Sequence, residues 1–119
     1  MGCPKHFSLS GGMGAALLSN PGNARKIIES VRNVVDVPVT CKIRVHENVE
    51  ETISFCKQMV ESGVTAIAVH GRTPKERPQH PNRVTLIKSV SSSLSVPVIA
   101  KCVDVMIHRR LKPHYANCS

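Results

Sequence analysis

The chain has 119 residues, with 16 Lys and Arg against 8 Asp and Glu, which gives a formal net charge of +8. Its length allows one small domain, and because aromatic residues make up only 3% of it, the core must be built from aliphatic side chains. The basic charge favours a polyanion as partner, most simply a nucleic acid, and a basic protein without such a partner is the alternative. So few aromatic side chains argue against a surface that stacks single-stranded bases.

The five cysteines are an odd number and form no C-x-x-C pair. This pattern fits neither a disulfide framework nor a zinc ribbon, so we expect a reducing compartment, a cytoplasmic protein and no bound metal. No stretch approaches the ~18 apolar residues of a membrane span, and the start lacks the basic and apolar regions of a signal peptide. We therefore expect no association with a membrane.

The first element in chain order is a cysteine loop, in which Gly2 and Pro4 hold Cys3 in a tight turn. A glycine-rich run follows at residues 11–14, where the backbone can approach a ligand closely. It precedes a short apolar helix at residues 15–18, whose N-terminus offers a place for an anion. The alternative is a free thiol on a loose chain end, and these residues alone do not choose between the two.

Helix-like and strand-like segments alternate along the next part of the chain. The apolar spacing typical of helices recurs in three segments, which are residues 23–34, 49–61 and 82–94. Short runs rich in β-branched residues occur in three others, which are residues 37–44, 65–70 and 96–100. Pro21 and Pro81 stand near helix starts, where proline is tolerated, and Gly63 is expected to cap the second helix. A period of about 30 residues predicts βα units and a parallel sheet.

The apolar residues of each predicted helix define the face that we expect to be buried. They are Ile27, Ile28, Val31 and Val34 in the first helix, Ile53, Cys56, Met59 and Val60 in the second, and Val84, Ile87, Val90 and Leu94 in the third. Successive residues of a strand point to opposite faces. Cys41 and its neighbour Lys42 are therefore expected on opposite sides of the sheet, with Cys41 in the core.

Polar side chains gather at the C-terminal ends of the predicted strands. They are Lys42 and Arg44 at the first strand, His70 and Arg72 at the second, and Lys101 and Cys102 at the third. Active sites of parallel barrels and open α/β sheets lie at this edge. Any one of these residues is better explained as a solvated loop charge, but their recurrence after successive strands indicates a site.

Five short blocks within residues 1–100 carry a resemblance to a known family. They are GCPK at residues 2–5, GGMGAALL at 11–18, VTCKIR at 39–44, AVHGR at 68–72 and ERPQHP at 76–81. Each block is weak alone, but all five stand in order at matching spacing. In them the sequence resembles the tRNA-dihydrouridine synthases, and most of all the eukaryotic cytoplasmic branch, which is dihydrouridine synthase 2-like and modifies the D-loop.

The resemblance implies a fold, a reaction and a set of partners. The fold is an α/β TIM (β/α)8 barrel, of which this chain holds a fragment with about three parallel strands and their helices. The reaction is the FMN-dependent reduction of uridine to 5,6-dihydrouridine in tRNA, with NADPH as the reductant. Flavin gives a hydride to C6 of the uracil, and a cysteine protonates C5.

The resemblance also implies roles for individual residues. Cys3 matches the cysteine that protonates uracil, a role suited to a thiol because its ordinary pKa of ~8.5 keeps it mostly protonated at neutral pH. Lys42 matches the lysine beside the flavin ring, where a cation stabilises the negative charge of the reduced ring. His70 matches a histidine that contacts the flavin. Four residues on the same rim are candidate contacts to substrate or phosphate, namely Arg44, Arg72, Lys75 and Arg77.

The sequence departs from the family pattern at both ends. The family has an asparagine just before the position of Met1, and it continues after Ala100 with an Asn-Gly-Gly type turn that holds the flavin phosphate, where this chain has Lys101 and Cys102. A closed barrel needs ~200 residues or more. We therefore expect residues 1–100 to be a partial FMN-dependent catalytic domain and residues 101–119 a divergent basic tail.

We expect this chain alone to be inactive, with weak FMN binding or none. The alternatives to a dihydrouridine synthase fragment are a non-catalytic basic fragment that binds RNA and a non-functional truncated product.

Overall fold

The computed structural model describes residues 1–101, so the predicted tail beyond Lys101, including Cys102, lies outside the described residues. The sheet consists of β1 (Thr40–Arg44), β2 (Ala66–His70) and β3 (Val98–Lys101). These strands are parallel and lie side by side in chain order. The predicted α/β fold with three parallel strands is therefore confirmed, and it is the arrangement expected for part of a TIM barrel.

Helices precede and connect the strands in the described part of the chain. They are α1 (His6–Ser10), a 3-10 helix (Gly14–Ser19), α2 (Pro21–Arg32), α3 (Val49–Glu61) and α4 (Val84–Ser93). The bounds of α3 are those predicted. The start of α2 lies at Pro21 because the Asn20 side chain caps it, accepting a hydrogen bond from the Asn23 N–H. Gly63 follows α3 with a φ of 101°, the left-handed conformation of a helix cap, as predicted.

The helices cover one face of the sheet and build the core against it. The side chains of Cys41, Ile43, Ile67 and Val69 are at most 8% exposed and form one cluster with apolar residues of α2, α3 and α4. Cys41 is thus a core residue, as predicted. Burial raises the pKa of its thiol to about 11, so the thiol stays protonated at neutral pH.

The buried side of α2 is narrower than its apolar spacing predicts. Ala24 and Ile28 are buried, whereas Ile27, Val31 and Val34 are 42%, 39% and 80% exposed. The prediction that the last three residues face inward is therefore wrong. The reason is that α2 packs mainly against α3 and the 3-10 helix, which cover only the side that carries Ala24 and Ile28, while Val34 lies beyond the end of α2.

The buried faces of α3 and α4 are also shifted from the prediction. Thr52 and Phe55 of α3 and Leu86 of α4 are buried, while four predicted residues are only partly buried, namely Ile53, Val60, Val84 and Leu94. A buried threonine is stable here because its hydroxyl donates to Asn48 O and accepts from the His46 N–H, both at 3.0 Å.

No helix within residues 1–101 combines the length and the apolar character that crossing a bilayer requires. The same residues bring together no three His, Cys, Asp or Glu side chains that could hold a metal ion.

Gly71, directly after β2, has no room for a side chain. A Cβ there would lie 2.2 Å from Asn82 Oδ1 and 3.1 Å from the backbone N of Arg83. We expect Gly71→Ala to lower the free energy of unfolding by about 1–3 kcal/mol, the usual cost of overpacking, as measured by urea denaturation. Gly22→Ala is the matched control, because its Cβ would meet only Asn20 Oδ1 at 3.9 Å. Equal losses in the two variants would contradict the steric explanation.

Candidate functional site

The face of the sheet that carries no helices presents polar residues at its C-terminal end. The parallel register pairs Arg44 with His70 and His70 with Lys101, so these three side chains share one row. One row further down, Lys42 pairs with Ala68. The structure thus brings together four of the strand-end residues that the sequence indicated, Lys42, Arg44, His70 and Lys101, on the face opposite the core.

The cysteine loop lies across the end of β1. Arg44 Nε donates to Gly2 O at 3.0 Å, and the Ala15 N–H donates to Cys3 O at 2.9 Å. Gly14 has a φ of 55°, and a Cβ on it would lie 2.7 Å from Cys3 O. Cys3 is therefore held by the backbone of its own chain at the candidate site, and it is not a thiol on a loose end.

The thiol of Cys3 is exposed and accepts a hydrogen bond. Ser8 Oγ donates to Cys3 Sγ at 3.3 Å, although Ser8 itself is buried. This bond, followed by one from the backbone of Lys5, lowers the pKa of Cys3 below its ordinary value. The positive charges of Lys5 and Arg44 act in the same direction. The thiol is therefore a stronger acid than an ordinary cysteine, and its thiolate is stabilised once formed.

The imidazole of His70 lies among cations. Partial burial, followed by the positive charges of Arg44, Arg72, Lys42 and Lys101, lowers the pKa of His70 to about 4. The ring is therefore neutral at physiological pH. Its Nε2 lies 3.3 Å from Arg72 Nη1.

The two arginines that follow or end the strands bind the loop after β2. Arg44 Nη1 donates to Thr73 O at 2.9 Å and to Glu76 O at 3.3 Å. Arg72 is 7% exposed and donates to His80 O and Pro78 O. Both guanidinium groups thus make hydrogen bonds within the protein and shape this loop.

The carboxylate of Glu76 closes the same loop. Its Oε2 accepts from the Thr73 N–H at 2.6 Å and from Arg83 Nη1. Lys75 and Arg77 are among the exposed residues of this loop, and Arg77 Nη1 also donates to Pro74 O at 3.1 Å. The outer surface of the loop is therefore basic.

Sequence reasoning assigned no role to two side chains that organise this site, Ser8 and Glu76. Ser8 lies on a helix too short to show periodicity. Glu76 stands in the ERPQHP block, but the block gives no sign of its hydrogen bonds to Thr73 and Arg83. Gly14 did carry a signal, since it stands in the glycine-rich run.

The Ser8 hydroxyl is expected to control the acidity of Cys3. Ser8→Ala removes the donor to Sγ, so the pKa of Cys3 should rise and the rate of thiol alkylation at neutral pH should fall. The measurement is the alkylation rate of Cys3 against pH, followed by mass spectrometry. Ser10→Ala is the matched control in the same helix, because Ser10 Oγ donates to Phe7 O. An unchanged alkylation profile in Ser8→Ala would rule out this control of the thiol.

The chain matches known proteins over almost its whole described length. A family model described as dihydrouridine synthase matches residues 1–105. A tRNA-dihydrouridine(20a/20b) synthase-like protein of Homo sapiens, named for NAD(P)+, is 38% identical over 102 residues, which are 83% of this chain and 32% of the relative. The tRNA-dihydrouridine(20a/20b) synthase of Saccharomyces cerevisiae is 33% identical over 104 residues, covering 83% of this chain and 28% of the relative.

Relatives named for a different tRNA position match at similar identity. The tRNA-dihydrouridine(20) synthase of Schizosaccharomyces pombe is 40% identical over 84 residues, 67% of this chain and 18% of the relative. The chain thus spans about a third or less of the length of these relatives. With the family model and the relatives in agreement, the chain belongs to the dihydrouridine synthase family.

Proposed function

We propose that this chain is part of the catalytic domain of a cytoplasmic tRNA-dihydrouridine synthase, which reduces uridine in tRNA to 5,6-dihydrouridine with FMN and NADPH. One observation carries the proposal. The register of the sheet places Lys42, Arg44 and His70 on the helix-free face, and Arg44 holds the backbone of the Cys3 loop at the same end. A cation, a hydrogen-bonding ring and an acidic thiol therefore converge on one surface.

The residues of this surface fit a flavin. Lys42 is exposed beside Ala68, whose methyl group leaves space above the strand for a flat ring. Lys42 and His70 would hold FMN there, and the positive charge of Lys42 suits the negative charge of a reduced flavin. When bound, reduced FMN supplies the hydride for C6 of uracil, and NADPH supplies the reducing equivalents.

Cys3 supplies the proton that completes the reduction. Its S–H bond breaks as a C–H bond forms at C5 of the uracil, and the double bond between C5 and C6 becomes single. The thiolate left on Cys3 is stabilised by the hydrogen bond from Ser8 and then takes a proton from water. The lowered pKa of Cys3 makes it a readier acid in this step.

The tRNA would meet the basic rim around this surface. Lys75 and Arg77 are exposed on the loop after β2, and Lys101 is exposed at the end of β3. We assign phosphate contact to Lys75 and Arg77. Arg44 and Arg72 stand on the same rim, but their hydrogen bonds to the chain's own carbonyls support a role in shaping the loop.

Binding of FMN to the 119-residue chain should be weak and confined to the helix-free face. We expect an FMN titration to shift the amide resonances of Lys42, Ala68 and His70, because these residues line the proposed ring site. Lys42→Met should abolish the shifts by removing the cation. Lys57→Met is the matched control, since Lys57 is an exposed lysine of α3 on the opposite side of the sheet.

Two results would contradict the proposed flavin site. One is a set of FMN shifts confined to the helix-covered side of the sheet. The other is equal loss of binding in the two lysine variants. A chain that purifies with stoichiometric flavin would contradict the expected weakness of binding, though not the site.

The second candidate function is a non-catalytic fragment that binds RNA, and the exposed basic loop favours it. Because bound cations release counterions from RNA, affinity should fall steeply with salt, with a log–log slope of about −0.7 to −0.9 per phosphate contacted. Arg77→Gln should reduce that slope by about one contact. Glu29→Gln on α2 is the control away from the loop. An affinity for tRNA that does not change with salt concentration would count against both candidate functions.

A further inference from the structure

Arg72 follows a strand that ends at the candidate site, yet its side chain is 7% exposed. Its Nε donates to His80 O at 2.6 Å and its Nη2 to Pro78 O at 3.2 Å, while Nη1 lies 3.3 Å from His70 Nε2. Each nitrogen of the guanidinium thus has an acceptor within the protein. This arrangement indicates that Arg72 acts on its neighbours and not on a ligand.

The contact between Arg72 and His70 selects one protonation state of the imidazole. A guanidinium has only donors and stays charged at any pH of interest. His70 Nε2 must therefore be the acceptor and carry no proton. In a neutral ring the proton then resides on Nδ1. A doubly protonated ring would instead set two cationic donors against each other at 3.3 Å.

We propose that Arg72 is a positioning residue for the flavin site, which holds His70 as the neutral Nδ1–H tautomer and leaves Nδ1–H as the only hydrogen-bond donor of the ring. The proposal rests on the proposed function, in which His70 contacts the flavin. A neutral donor suits the carbonyl oxygens and ring nitrogens of a flavin, and it adds no further positive charge to the site.

Two features of the surroundings support this role. Partial burial disfavours a charged His70, and the positive charges of Arg44, Arg72, Lys42 and Lys101 act in the same direction. In addition, the same guanidinium that contacts His70 binds the backbone at Pro78 and His80, so that one side chain fixes the ring and the loop together. A lysine has a single nitrogen and cannot make all three contacts.

The tautomer can be read directly from the 15N chemical shifts of the histidine ring in the 119-residue chain at neutral pH. We expect a pyridine-type Nε2 and a pyrrole-type Nδ1 for His70. In Arg72→Met both shifts should move toward the averaged values of an unconstrained imidazole. Arg72→Lys keeps one donor and should largely retain the Nδ1–H tautomer. A purely structural role for Arg72 would not give this rescue.

Arg83→Met is the matched control, because Arg83 is a second arginine of the same loop whose guanidinium binds the carboxylates of Glu76 and Glu47. If Arg83→Met changes the His70 shifts as much as Arg72→Met does, the effect is a general loosening of the loop and the proposal fails. A protonated Nε2 in the unmodified chain also overturns it. That measurement decides the matter even if Arg72→Met does not fold.

Addition of FMN separates this proposal from the proposed function. A fixed Nδ1–H tautomer whose proton resonance shifts on FMN addition supports both. A fixed tautomer that does not respond to FMN overturns the flavin contact of His70, and with it the positioning role at that site. A mixture of tautomers that still responds to FMN overturns the part assigned to Arg72 and leaves the flavin site standing.

Discussion

The guanidinium of Arg44 joins three parts of the chain that lie far apart in sequence, and the candidate site depends on this junction. Arg44 is the last residue of β1. Its guanidinium donates to Gly2 O, Thr73 O and Glu76 O at 3.0, 2.9 and 3.3 Å. Hydrogen bonds from a charged donor contribute about 1.5–3 kcal/mol each, more than neutral ones. The Cys3 loop and the loop after β2 therefore take their positions from the same strand end.

This junction also concentrates positive charge. Partial burial, followed by the charges of Arg44, Arg72, Lys42 and Lys101, lowers the pKa of His70 to about 4. Glu76, the carboxylate within the loop after β2, accepts from Arg83 and from the Thr73 N–H, so its negative charge is already paired with a cation. Like charges held this close repel one another, and an anion on the helix-free face would relieve the repulsion. A reduced flavin and the phosphates of tRNA are both anions that could act in this way.

The sequence predicts the parts of this fold whose signals are local. α3 spans several turns with regular apolar spacing, and the residue after its cap is a glycine with a positive φ, so both its bounds were predictable. The opposite faces of Cys41 and Lys42 follow from strand geometry alone. Burial of Arg72 was not predictable in the same way, because its acceptors at Pro78 and His80 are backbone carbonyls. Every residue carries such a group, so the sequence gives no sign of which ones will be used.

The register of the strands was only partly predictable from the sequence. Polar residues at three strand ends predict a common edge, but only pairing shows that Arg44, His70 and Lys101 share one row. The pairing depends on packing of the covered face, where Ile43 and Ile67 are fully buried. Shifting a strand by one residue would exchange its two faces. The core on one side of the sheet therefore fixes the order of the polar residues on the other.

The sequence singled out the glycine-rich run, but in the structure Gly14 serves a purpose other than the one expected. In the sequence the run indicated a backbone that a ligand could approach. In the structure, Gly14 makes room for Cys3, since a Cβ would lie 2.7 Å from Cys3 O and 3.0 Å from Cys3 Cβ. The backbone of the run thus fixes where the cysteine lies, and the Ser8 hydroxyl sets how acidic its thiol is. Because position and acidity have separate sources, a change at Ser8 can alter the chemistry of Cys3 without moving it, whereas any side chain at Gly14 would displace it.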